Sequence, residues 1–166
     1  MKTLIIIFIF IPFISLSQFI KSNQTDSFTH QKRIVTKGVD VSNAVSFKAT
    51  LDDISYNTID NTIYIVLHGE GNGGTILQND IALLVTEKDT IVIKSVGLQN
   101  SYGRWAPVYY DHAYYIDKAD VIKLSKAKLL SVRRYSTVGV FDNFIKEKFQ
   151  TNLMTLSDAL LKEMDK

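Results

Sequence analysis

Cysteine is absent from this 166-residue chain. That excludes disulfides, thiolate metal sites, a cysteine nucleophile, cysteine-held iron–sulfur clusters and a lipid-modified N-terminal cysteine. Proline is scarce, with two residues, and glycine supplies only eight. The chain is therefore neither a collagen nor a Pro/Gly-rich disordered polymer. Neither sign of charge dominates. Nineteen Lys and Arg stand against 17 Asp and Glu, a formal +2, too balanced to draw nucleic acid or a membrane surface. Internal repeats and low-complexity segments are also missing. What is present is 46% hydrophobic and 11% aromatic composition, which fits one globular domain at this length.

The clearest segment is the start, MKTLIIIFIFIPFISLSQ. Lys2 precedes an apolar run from Leu4 to Ile14, followed by Ser15 and Ser17, small residues two apart. This is the charged, apolar and small-x-small order of a secretory signal peptide. The expected boundaries are a signal peptide over 1–17, cleaved before Gln18, a flexible lead-in over 18–32 and a single β-rich domain over 33–166. A membrane anchor fits less well, because a span needs about 20 apolar residues and Pro12, Ser15, Ser17 and Gln18 interrupt this one. The reading implies an exported protein, periplasmic or secreted, with no membrane attachment after cleavage. A chain of this size needs no disulfides there, since it buries about two-thirds of its unfolded surface.

Residues 18–32 are polar with no period. After them come short runs rich in β-branched and aromatic residues: IVTKGVDV, AVSFKATL, TIYIVLHG, TILQ, IALLVTE, TIVIKSV, AYYI and LLSVRRY. Turn chemistry separates them, and Glu87–Lys88–Asp89 between two runs is the surest hairpin. Short connections favour antiparallel pairing. IALLV and IYIVL are apolar on both faces and are expected to lie centrally, covered on both sides. Two helices interrupt the pattern. One is short, over 118–125, with Asp117 as N-cap and Ile116 and Val121 as a hydrophobic staple. The other runs over 143–164 with Asp142 as a cap. Its stripe of Ile145, Phe149, Leu153, Leu156, Leu160 and Met164 is expected to pack on the sheet. The expected fold is mainly β (α+β): six to eight antiparallel strands in a curved sheet, sandwich or open barrel, with the C-terminal helix packed on it.

Most motifs carrying chemistry have plainer readings. GEGNGG, residues 69–74, satisfies G-x-G-x-x-G, but TILQNDIALLV after it lacks any helix start, so a Gly-rich hairpin loop explains it. His68–Gly69–Glu70 is an H-x-E without the cysteines a zinc deaminase needs. His30, His68 and His112 are too scattered for a recognisable metal set. Asp111–His112 pairs a carboxylate with an imidazole, yet neighbours on a strand face opposite ways. Arg134 shares a face with Leu130 and Val132 and is expected at the core's edge, paired with a carboxylate. Lys123, Lys126 and Lys128 make a local basic region, read as a solvated face. No catalytic residue, metal or cofactor is assigned.

The segment over 98–115, LQNSYGRWAPVYYDHAYY, holds the single Trp and five of the eight Tyr. Large flat side chains beside Gly103 and Pro107 on a loop suit glycan stacking or protein recognition. The alternative is that Trp105 plugs one end of the core. Tyr102, Arg104, Trp105, Tyr109 and Tyr110 are the candidate ligand-binding residues.

The last third of the chain, with Tyr115, Asp120, Leu124, Arg133 and Gly139 in a strand, capped helix, strand and Gly hairpin, resembles small exported proteins of Gram-negative bacteria. That resemblance implies a mainly β domain with a packed C-terminal helix and carries over no catalytic residue. The expected function is a non-enzymatic binding module for protein or glycan. The alternatives are a hydrolase using groups around Asp111 and His112, with Glu70, and a structural subunit of an envelope assembly. Nucleic acid is not an expected partner.

Overall fold

Runs of β-branched and aromatic residues, closed by Gly, Asn and Asp, set the strands. The structure, a computed structural model, describes residues 16–25, 27, 32–42, 47–56, 60–70, 75–97, 99 and 109–166. Among them are ten strands: β1 (Ile20–Thr25), β2 (Lys32–Thr36), β3 (Val39–Ser42), β4 (Phe47–Tyr56), β5 (Asp60–Glu70), β6 (Ile81–Thr86), β7 (Thr90–Ser95), β8 (Tyr109–Ile116), β9 (Leu129–Ser136) and β10 (Gly139–Phe144). All pair antiparallel in one sheet that curls as a half barrel, in the order β1-β2-β4-β5-β8-β7-β6-β9-β10. Strand β3 follows β2 along the same edge of β4, because IVTKGVDV breaks at Lys37–Gly38. TILQ contributes only the isolated bridge Ile76–Gln99.

Alternation places one residue in two inside the curl. Ile63, Ile65 and Leu67 of β5, Ala82 and Leu84 of β6, Ile91 and Ile93 of β7 and Tyr114 of β8 are fully buried. Strands β5 and β6 do lie centrally, but their other faces are only half buried. Coverage on both sides is therefore not what their apolar sequence means. The inner face is closed by α1 (Lys118–Leu124) and α2 (Asn152–Met164), which pack on each other. Strands β2, β3 and β4 bear the rest of α2. Leu153, Leu156 and Leu160 of α2 sit in the same buried cluster as Ile34, Ile63 and Ile65. Each such Leu contributes about 1.5–3 kcal/mol on burial.

Mainly β, antiparallel, with a packed C-terminal helix is the fold the sequence implied. Four details differ. There are ten strands rather than six to eight. The expected flexible lead-in contains β1, and Phe19 ahead of it packs on the core with its carbonyl accepting from Lys37 N at 2.8 Å. An edge strand is held by its backbone ladder and needs no hydrophobic period, which is why polar IKSNQT gave no signal. Residues 1–15 lie outside the described residues. The C-terminal helix begins at Asn152, not 143, because β10 continues through Phe144 and Glu147–Phe149 makes a 3₁₀ turn. Asp142, expected as its cap, is instead a β10 residue opposite Arg133. Ile145 and Phe149 still face the core, so the stripe holds although its helix is shorter. At α1 the boundaries agree: Asp117 takes the N-cap position without a side-chain cap bond, and Ile116 and Val121 are buried in the core cluster.

Strand β9 carries a fourth difference. A bulge opposite Val85 and Thr86 shifts its register, so Leu129 is 2% exposed and Leu130 is 38%. The inner face of β9 is therefore Leu129, Val132 and Arg134. The joint between β7 and β8 is short, with only Lys94–Tyr115 and Ser95–Tyr114 in register. Beyond it Val96 N donates to Ala113 O at 3.2 Å, and a side chain adds to the joint. The Gln99 amide accepts from Ala113 N at 2.6 Å and donates to Ala113 O at 2.8 Å. It also donates to Ser95 Oγ at 3.0 Å.

Candidate functional site

Strand β8 separates the sequence candidates by face. Asp111, Ala113 and Tyr115 turn outward, and His112, Tyr114 and Ile116 turn inward. Asp111 and His112 therefore do not work as a pair, as strand alternation requires. Register sets Asp111 opposite His68 of β5 instead, with His68 Nδ1 and Asp111 Oδ1 2.6 Å apart. A carboxylate only accepts, so Nδ1 is the donor. Both side chains are partly open to solvent, at 34% and 50%. The row extends across four strands as Asp40, Lys48, His68 and Asp111.

On the inner side His112 is fully buried and Arg134 is 2% exposed. Arg134 Nη1 lies 3.5 Å from His112 Nδ1, at the long limit for a hydrogen bond. The guanidinium carbon stands 5.6 Å from the centre of the Phe141 ring, within cation–π range. Burial, then the charge of Arg134, lower the His112 pKa from 6.5 to about 4, and Asp111 opposes them. The imidazole is accordingly neutral at pH 7. Arg134 is deeper than the core-edge position expected from its sequence.

The outer face carries a second set of groups. Tyr64 and Tyr115 pack with ring centres 5.2 Å apart, and Tyr115 remains 45% exposed. Lys94 and Ile81 continue that row. The next row runs Val92, Leu83, Arg133 and Asp142, and the one after it Thr90, Val85, Ser131 and Phe144. Val92 is 52% exposed, Val140 55% and Phe144 77%. Arg133 grips Asp142 with two hydrogen bonds, of 2.6 and 2.8 Å. These bonds hold the Asp142 carboxyl below the usual carboxylate range and push Arg133 further up. One neutralised ion pair thus sits within a largely apolar surface.

The basic region around Lys123 and Lys126 borders a depression of about 320 Å³ lined by Thr86, Lys88, Asp89, Lys123, Lys126 and Ala127. Its cations are largely engaged. Lys123 bonds Asp120 at 2.6 Å and faces Asp89 at 3.9 Å, and Lys88 donates to the Lys126 carbonyl at 2.9 Å. It makes a poor anion cradle. Among the described residues no three His, Asp or Glu side chains gather as a metal-ligand set, and no helix is long and apolar enough to cross a membrane.

Of the nominated ligand-binding residues, Tyr102, Arg104 and Trp105 lie outside the described residues, as do His30 and residues 71–74. Tyr109 and Tyr110 open β8 opposite Glu70 and Gly69, so the aromatic segment enters the sheet next to the His68–Asp111 pair. Sequence reasoning missed that pair and the outer patch of Val92, Val140 and Phe144. The alternation of TIYIVLHG and YYDHAYYI held the signal for the first. The second was hidden in part because a helix expected from Asn143 takes Phe144 out of β10. Comparison with protein-family models, with curated proteins and with solved structures gave no match.

Proposed function

We propose that this chain is an exported, periplasmic or secreted, non-enzymatic binding module whose ligand is a protein. The observation that carries the reading is the outer face of β7, β6, β9 and β10. There Val92 and Phe144 stand more than half exposed around one self-neutralised ion pair. Exposed apolar patches of this kind mark interaction sites, and charge-depleted centres with aromatic residues are typical of protein interfaces.

The test is capture of an envelope protein by the full-length chain and by a Val92→Ser/Phe144→Ser variant. The variant should lose at least about tenfold in affinity, the scale of a truncated hot spot, with an unchanged melting temperature. Equal capture by both would refute the outer face. Binding to a glycan array that Tyr115→Ser abolishes would move the ligand class to sugar.

One observation favours a second reading. A carboxylate holding an imidazole at 2.6 Å, as Asp111 holds His68, is the orienting half of a hydrolytic dyad. The pairing of Asp111 with His112 is not. A hydrolase of this kind would lose activity in His68→Asn and keep it in His112→Asn.

A further inference from the structure

We infer that the mature chain carries a pyroglutamyl N-terminus formed by cyclisation of Gln18. The inference rests on the export reading and goes beyond it. Cleavage after the small-x-small pair Ser15 and Ser17 frees the α-amine of Gln18. Gln18 lies in a 3₁₀ turn, Leu16–Phe19, whose last residue is anchored. Phe19 packs against the core, its carbonyl accepts from Lys37 N at 2.8 Å, and Ile20 stands opposite Thr36 in the β1–β2 ladder. Gln18 itself is exposed. Among the described residues its carboxamide makes no hydrogen bond.

The chemistry needs no co-reactant. The α-amino nitrogen attacks the side-chain Cδ and closes a five-membered lactam. The bond from Cδ to the carboxamide nitrogen breaks, and that nitrogen leaves as ammonia with a proton from the attacking amine. One positive charge disappears from a terminus whose neighbours include Lys21 and Lys37, both exposed. The sealed end has no free amine for an aminopeptidase, while Phe19 and β1 keep their places.

The full chain is expressed in a Gram-negative host, and the exported product is measured by intact mass and N-terminal sequencing. The expected mass is that of residues 18–166 less one ammonia, with sequencing blocked. A Gln18→Ala chain should start at the substituted residue, unblocked and at full mass. A mass of 18–166 without the ammonia loss overturns the cyclisation and leaves export standing. A product that keeps residues 1–17, or starts elsewhere, overturns both. Ammonia loss persisting in Gln18→Ala assigns the reaction to another residue and overturns the inference.

Discussion

Acid should weaken this protein through His112 before its carboxylates matter. The imidazole is buried on the inner face with a guanidinium 3.5 Å away, so the folded state resists adding a proton there. Its pKa falls from 6.5 to about 4. The sign follows from linkage. Between those values the unfolded chain binds the proton and the folded chain does not, so stability falls as pH falls. The stabilisation is complete above about pH 6.5 and is lost progressively down to about pH 4. Each pKa unit is worth about 1.4 kcal/mol, so the span corresponds to at most about 3.5 kcal/mol. Relaxation of the folded state around a protonated imidazole brings the expected loss to about 2 kcal/mol. Urea denaturation at several pH values between neutral and 4, on the native chain and His112→Asn, measures it. The native chain should lose about 2 kcal/mol more than the variant across the window. Parallel pH profiles would refute the assignment of a neutral, buried His112.

Three further outcomes are expected. Leu156→Ala should cost about 2–5 kcal/mol in urea denaturation, because the side chain is fully buried between α2 and the sheet. Ser157→Ala should raise stability by about 1 kcal/mol: its Oγ is buried with no hydrogen-bond partner among the described residues, and Ala is the better helix former. Trp105→Ala should weaken ligand binding about tenfold with little change in melting temperature; a large drop in melting temperature would instead make Trp105 a core residue.

Local patterns in the sequence reached as far as local physics does. Ile91 and Ile93 on one face, and the Glu87–Lys88–Asp89 turn, depend on residues within a few positions, and the β6–β7 hairpin follows them. Leu153, Leu156 and Leu160 declared a helical stripe because 3.6-residue periodicity is intrinsic to the segment. The start of that helix was not legible. Asp142 and Phe144 are decided by Arg133 and Ser131 on the neighbouring strand, and a propensity reading contains no neighbour. The bulge in β9 inverted Leu129 and Leu130 for the same reason: one extra residue in a strand moves every side chain after it to the other face. The His68–Asp111 contact joins residues 43 apart, a pairing that only the register of β5 on β8 supplies.

The short joint between β7 and β8 gives the half barrel a line along which it opens. Five strands lie on one side, β1 to β5, and β5 meets β8 through a long ladder from Ile63–Ile116 to Glu70–Tyr109. On the other side β7 pairs with β8 through two register pairs, continued by the bond from Val96 N to Ala113 O and by the side chain of Gln99, while Arg134 of β9 reaches His112. Opening free energy scales with what must be broken. Amide hydrogens on the β7 edge of β8 should therefore exchange with solvent sooner than those facing β5. Gln99→Ala, which removes the three bonds its carboxamide makes at this joint, should speed that exchange further.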